Sequence, residues 1–262
     1  MKNLAFIGLG NMGKAIASGL VKSGAIAPEN VWGYDPYREG LNAFCNETGI
    51  HGCESAEEAI SHADTVLIAV KPYVIEGALA GIREALKGKA LISVALGYDF
   101  ARLSALVDES TRVQFVMPNT PAMVGAGMLI FEGAYSLKEE ERAEIMEKFR
   151  NLGIVEELPT HLMNPGGTIS GCGPAFCAMV IEALADAGVK YGLPRPVAYK
   201  LASQTLAGTG KMQIETGMHP GVIKDGVCSP AGTTICGVEA LERAGLRAAM
   251  LDAVQAVMEK PV

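Results

Sequence analysis

Short β-rich runs alternate with helical patterns as far as Glu157, and that alternation predicts a parallel α/β sheet. A glycine-rich turn, Gly8-Leu9-Gly10-Asn11-Met12-Gly13, joins the first run to the first helix, where a Rossmann-type sheet binds a dinucleotide. After Pro159 the strand patterns stop and long alanine-rich helices follow. The predicted fold class is α/β. An N-terminal Rossmann-type dinucleotide-binding domain spans residues 1–158, and an all-α C-terminal dimerisation domain spans residues 159–262.

The elements run as follows. Leu4–Gly8 is an apolar strand ending on glycine, and Met12–Ser23 reads as a helix. Val31–Tyr34 is a second strand, followed by a helix around Glu39–Glu47. Ser55-Ala56-Glu57-Glu58 is a capping box that opens a short helix. Thr65–Val70 is the most strand-like run, ended by Lys71-Pro72. Leu91–Val94, Arg112–Met117 and Met128–Phe131 continue the sheet. The helix Lys138–Asn151 and a last strand near Ile154–Glu157 close it.

The later helices are predicted at about Pro174–Tyr191, Pro196–Thr216 and Thr234–Lys260, with a break near Gly245. Several are apolar around most of their circumference, so they must be buried. Too few residues remain in this half to cover so many apolar faces, which favours a subunit interface over a monomeric bundle.

Composition narrows the class. Of 262 residues, 49% are hydrophobic and 19% charged, which suits a large core and not a disordered chain. A net charge of −7 with no basic stripe argues against a nucleic-acid partner. No stretch approaches the roughly 18 apolar residues that span a bilayer, so no membrane partner is expected. The six cysteines form no CxxC or Cys/His cluster, so no metal is expected and reduced thiols in the cytoplasm are.

Four segments carry chemistry. In the glycine turn, Gly8 permits the tight bend, Gly10 lets the backbone approach a pyrophosphate, and Gly13 allows close helix–sheet packing. Ile7, Gly8, Leu9, Gly10, Asn11, Met12 and Gly13 are therefore candidate cofactor residues. Asp35, at the end of the second strand and about 20 residues on, is placed to accept hydrogen bonds from the adenosine ribose. Ala69, Val70, Lys71 and Pro72 follow a buried strand and belong near the cofactor, although Lys71 also reads as a solvated lysine. Met117-Pro118-Asn119-Thr120-Pro121 is a stiff loop that either faces the nicotinamide end, through Asn119, or acts as a hinge.

The fourth segment, Ser229-Pro230-Ala231-Gly232-Thr233-Thr234, precedes a helix. It reads as a cap or as a carboxylate site, where backbone N–H groups and three hydroxyls meet the positive helix end. The four histidines sit in no motif with a carboxylate, and no G-x-S-x-G, P-loop or HExxH occurs.

Over essentially its full length the chain resembles the pyrroline-5-carboxylate reductase family. The resemblance rests on FIGLGNMG (Phe6–Gly13), AVKP (Ala69–Pro72), MPNTP (Met117–Pro121), SGCGPAF (Ser170–Phe176) and SPAGTTICGVEALE (Ser229–Glu242). It implies NADH or NADPH bound by the first domain and helices that interlock with a partner subunit. It also implies a substrate carboxylate held before the SPAGTT helix by Ser229, Gly232, Thr233 and Thr234, with Thr234 the catalytic residue beside the ring nitrogen. Ala231 stands where the family usually has glycine, Cys172 where serine is common, Ala56 for an asparagine and Gly226 for a polar residue.

The expected reaction is hydride transfer from NAD(P)H to the C=N carbon of 1-pyrroline-5-carboxylate, giving L-proline. Two rivals remain at this point. A β-hydroxyacid dehydrogenase shares the GLGxMG start but needs a catalytic lysine, for which Lys211 is a weak candidate. A non-catalytic NAD(P)-sensing protein would bind cofactor without turnover.

Overall fold

In the computed structural model, which describes residues 1–260, β1 (Leu4–Ile7) is buried along its whole length and heads a sheet whose helices follow in turn. α1 (Asn11–Lys22) leads to β2 (Val31–Tyr34), α2 (Arg38–Thr48), β3 (His51–Gly52), α3 (Ala56–Ser61) and β4 (Thr65–Ile68). α4 (Ile75–Ile82), β5 (Ala90–Ser93), α5 (Phe100–Leu106) and β6 (Arg112–Met117) come next. β7 (Gly127–Tyr135), α6 (Glu139–Phe149), β8 (Gly153–Leu158) and α7 (Thr160–Gly167) complete this part. Pro261 and Val262, at the end of the predicted helical domain, lie outside the described residues.

The eight strands are ordered β3-β2-β1-β4-β5-β6-β7-β8. The order reverses at β1, so the crevice between the carboxyl ends of β1 and β4 is where an open sheet takes its ligand. The sheet departs from the parallel one that the sequence predicts: β6 pairs antiparallel with β7, and β7 then pairs parallel with β8. The 3-10 turn Thr120–Val124 reverses the chain after β6, too short a link for a crossover. One apolar cluster covers the α1, α2 and α6 side, and a second covers the α3, α4 and α5 side. β1 and β4, buried throughout, read as unbroken apolar runs for this reason.

Sequence and structure agree closely on most elements. Ser55 caps α3, its Oγ accepting from Glu58 N–H at 3.1 Å. The Glu58 carboxylate returns one residue upstream of the box geometry, to Glu54 N–H at 2.6 Å. β3, α4 and α5 were not anticipated.

The chain divides into two compact units after Gly171, so α7 and all but the last residue of the π turn Thr168–Cys172 go with the sheet. Asn164–Gly167, which look broken in the sequence, are helical despite Pro165. The second unit consists of α8 (Gly173–Lys190), α9 (Arg195–Thr216), α10 (Pro220–Val227), α11 (Thr233–Arg243) and α12 (Leu246–Met258). α8 packs along α9, and the buried residues of these helices are alanines: Ala185, Ala198 and Ala202. Met179, Leu201, Ile214 and Leu251 are exposed. The break near Gly245 is a left-handed residue that separates α11 from α12.

One expectation fails on length. Among the described residues the helical run Thr160–Lys190 contains an 18-residue stretch with the length and hydropathy of a membrane span, at a mean hydropathy of 1.5. Glycine, alanine and serine dilute its large apolar residues, which hid the run from a search for consecutive apolar positions.

Candidate active site

The glycine turn is shaped by close backbone contacts. Gly8 has φ +94°, and a Cβ there would stand 2.8 Å from Ala69 O. A Cβ on Gly13 would stand 2.2 Å from Gly8 O, so α1 can approach the turn only without a side chain. Gly10 differs, with no atom within 4 Å of its Cβ position. The open side of the turn is the side a pyrophosphate must approach. α1 has neither a side-chain cap nor an acid in its first turn, so its N–H groups and positive end remain available to an anion. Ile7 and Leu9 are buried, so only their backbones belong to the site, while Asn11 and Met12 are more exposed.

Asp35 closes the crevice. Its Oδ2 accepts from Leu9 N–H at 2.7 Å and its Oδ1 from Tyr37 N–H at 2.8 Å. These bonds fix the carboxylate at the carboxyl end of β2 and leave lone pairs for ribose hydroxyls. Arg38 does not hang free. It donates through NH1 to Cys53 O and through NH2 to Glu54 Oε1.

The loops after β4, β5 and β6 form the rest of this edge. Ala69 N–H donates to Ile7 O at 2.8 Å, Pro72 starts a 3-10 turn, and Lys71 is exposed. The Asn119 side chain is buried and committed at both ends. Nδ2 donates to Ser170 O at 3.0 Å, and Oδ1 accepts from Met128 N–H at 2.9 Å. Its amide pins the loop, so the loop backbone is what faces outward. The segment Ala95–Gly97 after β5 was missed, although the rule that picked the other strand ends applies to it. It borders a cavity of about 270 Å³ lined by Leu96, Tyr98, Arg102, Met117 and Thr160. Behind it Glu132, fully buried, accepts from Phe100 N–H and Thr160 Oγ1 and ties α5 and α7 to β7. Burial pushes the Glu132 carboxyl above the usual carboxylate range.

In the helical unit, Ser229–Gly232 turns into α11, with Gly232 N–H donating to Ser229 O at 3.0 Å. α11 also lacks a side-chain cap and an acid in its first turn. Among the described residues, the Ser229, Thr233 and Thr234 hydroxyls make no hydrogen bond within the chain, and all three residues are exposed. The N–H groups at the start of α11 and these hydroxyls are thus available to a ligand. Lys211, the residue a hydroxyacid dehydrogenase would need, is an exposed lysine in an i,i+4 pair with Glu215 at 3.7 Å. The two thiols of the sheet unit outside the π turn, Cys45 and Cys53, are unsuited to nucleophilic work. Burial, then the Glu58 charge, push Cys53 up to about 11, and burial raises Cys45.

Ala231 has φ +55°, the sole positive φ outside glycine among the described residues. A left-handed alanine costs roughly 1–2 kcal/mol, part of which a glycine returns through the unfolded chain. Ala231→Gly should therefore stabilise the helical unit by up to about 1 kcal/mol in a thermal melt. A lower melting midpoint would contradict the strain.

Comparison with known proteins finds relatives over the whole chain. Residues 160–261 match a family model described as pyrroline-5-carboxylate reductase dimerisation. Residues 3–97 match one described as NADP oxidoreductase, coenzyme F420-dependent. The pyrroline-5-carboxylate reductase of Escherichia coli (strain K12) is 41% identical over 99% of this chain and 97% of its own. That of Treponema pallidum (strain Nichols) is 42% identical over 98% of each. A crystal structure of Plasmodium falciparum pyrroline carboxylate reductase with NADP bound superposes with a TM-score of 0.88, at 33% identity over 98% of this chain and 95% of that one.

Proposed function

The chain belongs to the pyrroline-5-carboxylate reductase family, and from that premise we propose that it reduces 1-pyrroline-5-carboxylate to L-proline, with the sheet unit holding NAD(P)H and the loop before α11 holding the substrate. The observation that carries the substrate side is the set of three unpartnered hydroxyls at an uncapped helix start.

When bound, NAD(P)H supplies the hydride. The chain's own residues bind and orient. Ser229 Oγ, Thr233 Oγ1 and the N–H groups at the start of α11 hold the carboxylate. Two or three such bonds at roughly 1.5–3 kcal/mol each suffice for millimolar to micromolar binding. Thr234 Oγ1 orients the ring nitrogen. An ordinary hydroxyl is a poor acid, so the proton arrives with the iminium form of the substrate or from water, and orientation dominates the rate. On the cofactor side, the N–H groups of Gly10–Gly13 take the pyrophosphate and Asp35 takes the ribose. The backbones of Ala69–Pro72 and of the Asn119 loop flank the nicotinamide half. Imine reduction set against hydroxyacid oxidation, with the same purified protein, tests this reading. Oxidation of hydroxyacids without imine reduction would replace it.

Asp35 also bears on the choice between NADH and NADPH. Its fixed carboxylate would meet a 2′-phosphate with like charge, a repulsion of about 1 kcal/mol at 4 Å in water and roughly 4 at an effective dielectric of 20. NADH is expected to be used at least as well as NADPH, and Asp35→Ser to shift kcat/KM toward NADPH. A strong wild-type preference for NADPH, untouched by Asp35→Ser, would remove Asp35 from the ribose site.

Self-association follows from the helical unit, whose large apolar residues are left exposed within the chain while alanines fill its interior. The working form is a dimer or larger, in the cytoplasm, where six free thiols remain reduced. Light scattering should give a mass of at least twice 27.4 kDa. An active, monodisperse monomer would contradict this.

A further inference from the structure

The edge of the sheet places a second carboxylate beside Asp35. β2 and β3 pair in parallel with Gly33 opposite Gly52, and Cys53 N–H donates to Gly33 O at 2.9 Å. Asp35 follows Gly33 by two residues and Glu54 follows Gly52 by two, so the two acids leave adjacent strands at the same end of the sheet. Both lie at carboxyl ends of strands, on the ligand edge of the sheet. The Glu54 backbone is fixed by its N–H bond to Glu58, while its side chain is 84% exposed.

Arg38 completes the arrangement. An arginine near the β2 acid is the usual means of accommodating the 2′-phosphate of NADPH, through the paired donors of its guanidinium. Here one nitrogen is held by the carbonyl of Cys53, and the other is paired with Glu54. The arginine is thus fixed in place with its charge already answered.

We propose that Glu54 is a second specificity determinant for the adenosine ribose, acting with Asp35 against the 2′-phosphate. It does so in two ways: it occupies the nitrogen of Arg38 that a phosphate needs, and it adds a negative charge next to that of Asp35. A phosphate has to displace Glu54 and then sit near two carboxylates. A ribose hydroxyl meets neither obstacle. Substituting Asp35 alone therefore leaves part of the barrier standing. The proposal rests on Asp35 facing the ribose, and the test separates the two claims.

The test uses fragments that lack nicotinamide, so catalysis plays no part. ADP-ribose and 2′-phospho-ADP-ribose are titrated calorimetrically into the full-length wild type, Glu54→Gln, Asp35→Ser and the double variant. Loss of one exposed ion pair and one like charge predicts that Glu54→Gln tightens 2′-phospho-ADP-ribose about three- to tenfold. ADP-ribose should stay within about twofold, because its hydroxyl makes no demand on Arg38. The double variant should gain a similar factor over Asp35→Ser, and adding Arg38→Ala should remove the part of the gain from Glu54→Gln that comes from freeing the guanidinium and leave the part that comes from the lost like charge. An unchanged ratio of the two affinities in Glu54→Gln overturns the proposal. If that ratio stays fixed while Asp35→Ser moves it, the role of Glu54 fails and that of Asp35 stands. The reverse pattern removes Asp35 from the ribose site and overturns the joint action proposed for the two acids.

Discussion

Thr234→Ala is expected to lower kcat/KM for imine reduction by at least about tenfold while leaving the Kd for NAD(P)H as in the wild type. The hydroxyl has no partner within the chain, so its removal breaks no intrachain hydrogen bond and the fold should be indifferent. What is lost is one hydrogen bond to a group that carries positive charge in the reactive iminium. Such a bond is worth roughly 1.5–3 kcal/mol, or about ten- to a hundredfold in rate. Thr234→Ser keeps the oxygen and should restore most of the rate. Wild-type kinetics in Thr234→Ala would take this residue out of the mechanism.

Two glycine substitutions three residues apart are expected to part company. Gly10→Ala points into open space and keeps an ordinary backbone conformation, with φ −72°. Its melting midpoint should stay near wild type while NAD(P)H binding weakens at least about tenfold, because the added methyl stands where the pyrophosphate approaches. Gly13→Ala drives a methyl to 2.2 Å from Gly8 O, so α1 must retreat from the sheet. Overpacking of that kind costs roughly 1–3 kcal/mol, and displacement of the phosphate cradle should reduce binding by about a hundredfold. Calorimetry and thermal melting distinguish the pair. Equal effects on stability would mean that Gly10 is a packing residue and not a face of the cofactor site.

The parts legible in the sequence were those with a strong local cause. The strands β1, β2 and β4–β6 and the helices α1 to α3 follow from side-chain periodicity and helix-start signals. The glycine turn follows from backbone demands that only glycine meets, and the long helices from runs without strand formers. β3 is two exposed residues, His51 and Gly52, too short to carry a period. The antiparallel step from β6 to β7 was hidden because strand direction leaves no mark on side-chain alternation. α7 runs through Pro165 although proline has no N–H to give the i→i−4 bond, a matter of context and not of propensity. In the site, hydroxyls and glycines single out candidate segments, but the partners of the residues there do not show in the sequence. That Asn119 is committed to Ser170 and Met128, that Arg38 is held by Cys53 and Glu54, and that Ala231 is left-handed are facts of tertiary geometry. A sequence names the donors and leaves open what they meet.

The most direct test of the whole account is product stoichiometry. Purified protein is mixed with 1-pyrroline-5-carboxylate and NADH or NADPH, and cofactor oxidation and proline are measured together. The account predicts imine-dependent oxidation with one L-proline formed for each cofactor oxidised. Tight binding of the cofactor with no oxidation on adding the imine would contradict it.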